Sequence, residues 1–209
     1  MYIPPHFAES RPEPLHRVMR EHPLGALVTQ GPDGSGLDAD HIPFEFDADQ
    51  GPHGLLSAHV ARANPVWQRC PSGSPVMVIF TGPQAYVSPN WYPSKHEAHR
   101  QVPTWNYEVV HAHGILTVHD DERFVRRIVA RLTRRHEADE PKPWKMGDSE
   151  PEFIDGMLRN IVGIEIALTS LVGKFKLSQN KAHRDRVGAS DALEARGHGA
   201  LAGLMRPEG

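Results

Sequence analysis

The chain has 209 residues, of which 39% are hydrophobic, and a formal net charge of −3. That is one domain, or one domain with a small appendage, with enough apolar residues for a core. The charge gives no global pull toward nucleic acid, the single cysteine (Cys70) excludes an internal disulfide framework, and no apolar run approaches a membrane span. The first ten residues, MYIPPHFAES, lack the basic and apolar stretches of a secretory signal, so the cytoplasm is the expected compartment.

In chain order, Pro4 and Pro5 set an extended lead-in. Leu15, Val18 and Met19 have helical spacing, and Pro23 stops that helix. Leu24 to Thr29 reads as a buried strand, followed by a turn at Gly31-Pro32-Asp33-Gly34. Asp40 to Phe46 reads as a strand that tolerates Pro43 only at an edge or bulge. Gly54 to Val60 is a third strand, and Asn64-Pro65 predicts a helix start with Asn64 as N-cap. Val76 to Thr81 predicts a strand that pairs with Tyr86-Val87-Ser88 across a Gly82-Pro83 turn, and Tyr107 to Val118 another strand.

Asp120 to Glu137 is the clearest helix, with Phe124, Ile128 and Leu132 on one face. Ser149-Glu150-Pro151-Glu152 reads as a capping box, after which Phe153, Ile154, Met157, Leu158 and Ile161 should face inward. From Val162 the period becomes two, up to Leu168; Leu171 to Leu177 is the last strand, and Asp191 to Met205 a short helix. Many short strands joined by turns, with few helices, predict a mainly β fold: an antiparallel barrel with peripheral helices. The expected organisation is a domain over residues 1–180 and a tail over 181–209.

One segment stands out. Residues 85–114 hold two of the four tryptophans and three of the four tyrosines, interleaved with amides, hydroxyls and imidazoles. That mixture suits a flat ligand whose rings need apolar faces and whose edges need hydrogen bonds. Two cationic segments flank it in sequence. His59-Val60-Ala61-Arg62-Ala63-Asn64-Pro65 leaves a strand and enters a helix, where backbone N–H groups beside Arg62 and His59 can take an anion. Lys174 and Lys176 point to one strand face and are followed by Ser178, Gln179 and Asn180. Taken singly, each also reads as an ordinary N-cap and as the solvated face of an edge strand.

Other chemistry finds less support. His111 and His113 share a strand face, but a third ligand such as His99 or His119 has no motif to justify it, and no metal site is expected. Arg123, Arg126, Arg127, Arg131, Arg134 and Arg135 stud the long helix; they could meet DNA phosphates, or simply be the wet face of an amphipathic helix. No helix-turn-helix pair is evident, and neither Cys70 nor Ser88 nor Ser94 has the context of a nucleophile. No catalytic acid or base is singled out.

The motifs MYIPPHF, HIPF (41–44), HVARANP (59–65), AYVSPNWY (85–92), VPTWNY (102–107) and KFKLSQNK (174–181) occur in this order. Together they resemble the PaiB-like family of FMN-binding negative transcriptional regulators, over nearly the whole chain. The resemblance implies a split β-barrel related to pyridoxamine-phosphate oxidases and flavin reductases, a homodimer, and FMN at the subunit interface. It implies that HVARANP (His59, Arg62, Asn64) holds the flavin phosphate and that KFKLSQNK (Lys176, Ser178, Gln179) closes over the flavin. The aromatic segment (Ser88, Trp91, Thr104, Trp105) would then supply the wall around the ring. The phosphate segment is shorter than that of pyridoxamine-phosphate oxidases, so their substrate does not carry over. A flavin-dependent oxidoreductase is the alternative function, and a haem-binding or haem-degrading split barrel the second alternative.

Overall fold

The computed structural model describes residues 1–31, 34 and 36–207, so the expected turn at 31–34 lies partly outside the described residues. By compactness the chain forms two units: Met1–Glu21, Thr81–Val110 and Val172–Gly209 make unit 1, and His22–Phe80 with His111–Leu171 make unit 2.

The strands are β1 (Ala8–Glu9), β2 (Leu24–Gln30), β3 (Leu37–Pro43), β4 (Glu45–Asp47), β5 (Leu55–Ala61), β6 (Pro75–Val87), β7 (Thr104–His119) and β8 (Ile161–Lys176). They hydrogen-bond in the order β3-β2-β6-β7-β8-β5-β4, with β1 on β8. The registered pairs are antiparallel, as the sequence pattern predicts. Pro43 ends β3, an edge strand, so the predicted single strand to Phe46 is two pieces. A proline there interrupts no inner ladder.

The Gly82-Pro83 turn does not form, because β6 runs straight through it. Gly82 instead lets β7 come close: a Cβ there would stand 3.1 Å from the Cβ of Glu108. Likewise β8 continues past Leu168 to Lys176 as one strand, not two. Its Gly163 leaves the space in which the Phe124 ring lies, since a Cβ would meet that ring at 2.4 Å. In both strands the small residue serves close packing rather than chain reversal.

The long helix, α4 (Glu122–His136), is capped by Asp121, whose side chain accepts from the Phe124 N–H. Phe124, Ile128 and Leu132 form a buried cluster as predicted; burying each contributes about 1.5–3 kcal/mol. In α5 (Pro151–Arg159) the Ser149 capping box does not form, and Glu150 is the cap with no side-chain bond. Only Ile154 and Leu158 are buried there, while Phe153 and Met157 are exposed, contrary to the inward set expected.

Unit 1 also contains α1 (Pro12–Glu21), which buries Leu15, Val18 and Met19. Its Arg17 donates to both carboxylate oxygens of the fully buried Glu108, at 2.7 and 2.8 Å. Burial pushes the Glu108 carboxyl up from its ordinary pKa, against the pull of Arg17. A short α3 (Pro93–Ala98) is pinned by Asp185, which accepts from the Ser94 N–H at 3.0 Å and hydroxyl at 2.6 Å. Asp185 belongs to α6 (His183–Glu194), which is followed by α7 (Gly199–Met205): the C-terminal segment carries two helices where one was predicted.

Candidate functional site

The residues expected to bind the cofactor divide between the units. His59, Arg62 and Asn64 are in unit 2; Ser88, Trp91, Thr104, Trp105, Lys176, Ser178 and Gln179 are in unit 1.

In unit 1 the end of β8 places Lys176 beside the start of β7, and its ammonium donates to the Thr104 hydroxyl. Burial lowers the Lys176 pKa, and the charges of Lys174 and Lys181 add to that, while Tyr107 opposes it. The Lys174 ammonium donates to the Tyr2 carbonyl at 3.1 Å and lies 5.5 Å from the Tyr107 ring centre and 5.7 Å from that of Tyr2. Lys181 donates to the Gln101 amide oxygen at 2.7 Å and lies over Tyr92 at 5.4 Å. Among the described residues no carboxylate pairs with any of these three lysines. Two ammonium groups that repel that of Lys176, with no counter-ion among the described residues, leave positive charge there for an anion to offset.

Trp105, 49% exposed, faces Tyr86, 47% exposed, edge-on at 6.4 Å, and its indole N–H donates to Gln84 at 3.0 Å. This indole–phenol pair is open apolar surface on β6 and β7, the latter beginning at Thr104. A flat anionic group such as FMN fits this donor and aromatic set. The remaining unit 1 residues make contacts within the chain. Ser88 caps a one-turn 3-10 segment by accepting from the Asn90 N–H at 3.2 Å. The Trp91 ring is covered by the Arg196 guanidinium at 4.7 Å. Buried Ser178, with φ +64°, accepts from the Asn106 amide at 2.9 Å and meets the Tyr92 hydroxyl at 3.4 Å. Gln179 staples the same bend, donating to the Phe175 carbonyl at 2.6 Å and accepting from the Leu177 N–H at 2.8 Å.

In unit 2 the anion site expected after β5 is differently built. The helix there, α2 (Val66–Arg69), is a single turn, capped geometrically by Pro65 and not Asn64. Asn64 still bonds into it, its side-chain oxygen accepting from the Val66 N–H at 2.9 Å and its amide donating to Asp40 at 2.7 Å. The Arg62 guanidinium grips Asp120 with two nitrogens, at 2.5 and 3.0 Å, and its Nε donates to the Arg159 carbonyl at 2.7 Å. The pair raises the Arg62 pKa and lowers that of Asp120. His59 lines an apolar groove, where its buried Nδ1 has no partner.

The other sequence candidates are also resolved by their neighbours. On α4, Arg126 pairs with Glu122 and Asp155, and Arg131 and Arg135 reach Glu45. Arg127 lies over the Phe124 ring at 5.0 Å. The His111 and His113 rings are 6.5 Å apart and tilted, and among the described residues no group of three His, Cys, Asp or Glu could hold a metal. No helix among the described residues is long and apolar enough to cross a membrane. The sequence reading missed Lys181; a third lysine shortly after Lys174 and Lys176 was its only signal. It also missed Trp144 and Met146 on the loop between α4 and α5, which no motif marks.

Residues 1–170 match the family FMN_bind_2, described as "Putative FMN-binding domain". An uncharacterized protein of Aspergillus fumigatus is 30% identical, covering 94% of this chain and 92% of that protein. "Protease synthase and sporulation protein PAI 2" of Bacillus subtilis is 29% identical over 93% of this chain and 89% of its own length. Among solved structures, the FAD and heme binding protein of Mycobacterium smegmatis has a TM-score of 0.57 at 17% identity, covering 81% of this chain and 73% of that one. The flavocytochrome Anf3 of Azotobacter vinelandii has a TM-score of 0.56 at 12% identity, over 81% and 69%. At these identities the structural likeness concerns the fold, and it agrees with the antiparallel split-barrel class. The family match agrees with the FMN cofactor and the PaiB-like resemblance.

Proposed function

The chain belongs to the FMN_bind_2 family, the PaiB-like FMN-binding split barrels, and from that premise we propose that unit 1 holds the flavin, with its phosphate at Lys174, Lys176 and Lys181. Thr104 orients the Lys176 ammonium, and Trp105 with Tyr86 supplies apolar surface for the ring. The observation that carries this reading is the absence of a carboxylate partner for the three lysines among the described residues, while Arg62 is held by Asp120. A phosphate at the lysines meets charge that is not already satisfied; at Arg62 it has to displace a carboxylate first. FMN, when bound, supplies a ring able to take up and pass on hydride or electrons. This chain's residues bind and orient it.

The protein then acts as a flavin-binding regulator of gene expression, as a cytoplasmic homodimer that works through a partner rather than through the α4 arginines. Three of those six arginines, Arg126, Arg131 and Arg135, reach carboxylates of their own chain, which supports this choice. The test is titration of the purified apoprotein with FMN and with riboflavin, following flavin fluorescence. Saturable FMN binding at micromolar protein, weaker for riboflavin, is expected; no saturation overturns the reading. A Soret band in the freshly purified protein would favour haem instead. A monomer by light scattering at assay concentration would rule out the homodimer.

A further inference from the structure

We propose that the groove formed in unit 2 by α4, α5 and the 137–146 loop is a second binding site, for a neutral, planar aromatic molecule with one polar edge. The observations begin with a surplus of apolar surface. Helix α5 buries Ile154 and Leu158 but leaves Phe153 59% and Met157 52% exposed, and Trp144 on the facing loop is 40% exposed. These side chains border two adjoining cavities of about 600 and 300 Å³ that share Trp144 and Met146. Such volumes are those of small-molecule sites; the larger cavity also has Arg134, Glu137 and Lys145 in its wall, whereas the smaller is lined by apolar side chains and His59.

The floor is firm: Val125, Ile154 and Leu158 form a buried cluster with Met146 and Ile161 packed on it. Within the smaller cavity His59 is the sole titratable side chain, and its buried Nδ1 has no hydrogen-bond partner. A charged ligand would find no counter-ion there, which selects a neutral one. Burial also lowers the His59 pKa, which keeps the ring itself uncharged near neutrality. One unpaired imidazole nitrogen calls for one complementary polar atom on the ligand. Trp144 and Phe153 offer ring faces and edges, and the thioethers of Met146 and Met157 adapt to varied aromatic outlines. The site is independent of the flavin reading, which concerns unit 1.

The probe is 6-propionyl-2-(dimethylamino)naphthalene, a neutral planar dye with one carbonyl acceptor. The full chain should bind it saturably with blue-shifted emission, equally well with and without saturating FMN. Trp144→Ala and Met157→Ala, both at exposed positions, should each weaken it about tenfold with an unchanged circular dichroism spectrum. His59→Phe, which keeps the floor apolar, should weaken the dye more than it weakens naphthalene, which lacks the carbonyl. No saturable response from folded protein overturns the proposal, as does binding indifferent to Trp144→Ala and Met157→Ala. Displacement of the dye by FMN would assign the groove to the flavin. If Phe153→Asp turned a dimer into monomers, the groove would be an interface between copies of the chain. Either result refutes a separate site.

Discussion

Five arginines of unit 2 and three lysines of unit 1 hold their positive charges in opposite ways. In unit 2, Arg62, Arg69, Arg126, Arg131 and Arg135 all reach carboxylates of the same chain. In unit 1, Lys174, Lys176 and Lys181 are held by a carbonyl, a hydroxyl and an amide, with ring faces beneath two of them. Arginine's planar fork matches a carboxylate, so arginines make structural pairs readily. Lysines left with neutral partners keep their charge available to a ligand. The arginine helix has more basic residues, but three of its six arginines reach carboxylates, whereas none of the three lysines does among the described residues.

The largest expected effect removes the partner of the fully buried Glu108 in unit 1. Arg17→Ala leaves the Glu108 carboxylate uncompensated and should cost roughly 3 kcal/mol in denaturant unfolding at neutral pH. The loss should shrink in acid. Glu108 has a folded pKa raised above its unfolded value, so its burial favours folding at low pH, and that contribution is lost as pH rises through the folded value. A cost that stays constant with pH would mean that the arginine acts through packing alone.

Next, Lys176→Met should weaken FMN by about ten- to a hundredfold, the worth of a charge-assisted bond, and riboflavin far less. Equal losses for both would remove the phosphate from this lysine. A pH series sharpens the same contrast. Burial lowers the Lys176 pKa, so the ratio of FMN to riboflavin affinity should fall in alkaline solution before an ordinary lysine titrates. A ratio that holds flat there would point to an arginine contact. The smallest effect is expected from Arg62→Ala, which should leave that ratio unchanged and lower the melting temperature only slightly, because the Asp120 pair is solvent-exposed. A selective loss of FMN would restore Arg62 as the phosphate ligand and reverse the comparison.

Much of the fold was legible in the periodicity. The α4 stripe of Phe124, Ile128 and Leu132 is buried as its spacing predicts. Gly82-Pro83 misled, because a glycine needed for close approach to Glu108 has the same letters as a turn. The break expected after Leu168 misled similarly, since a polar or small residue inside a long strand does not end it. Ser178 and Gln179 were picked out by motif, yet their hydrogen bonds go to the chain itself. The groove around Trp144 was invisible, because exposure of Phe153 and Met157 contradicts what their helical spacing implies.

By itself the sequence determined the antiparallel β class, the family through its ordered motifs, and the placing of Lys174 and Lys176 on one strand face. Each follows from local spacing or local identity, which a linear chain carries in full. Which cation is free and which is paired was decided only by the tertiary structure. Asp120 lies 58 residues along the chain from Arg62, and Glu108 lies 91 from Arg17. A partner that distant is chosen by how the strands and helices pack, and no residue spacing records it.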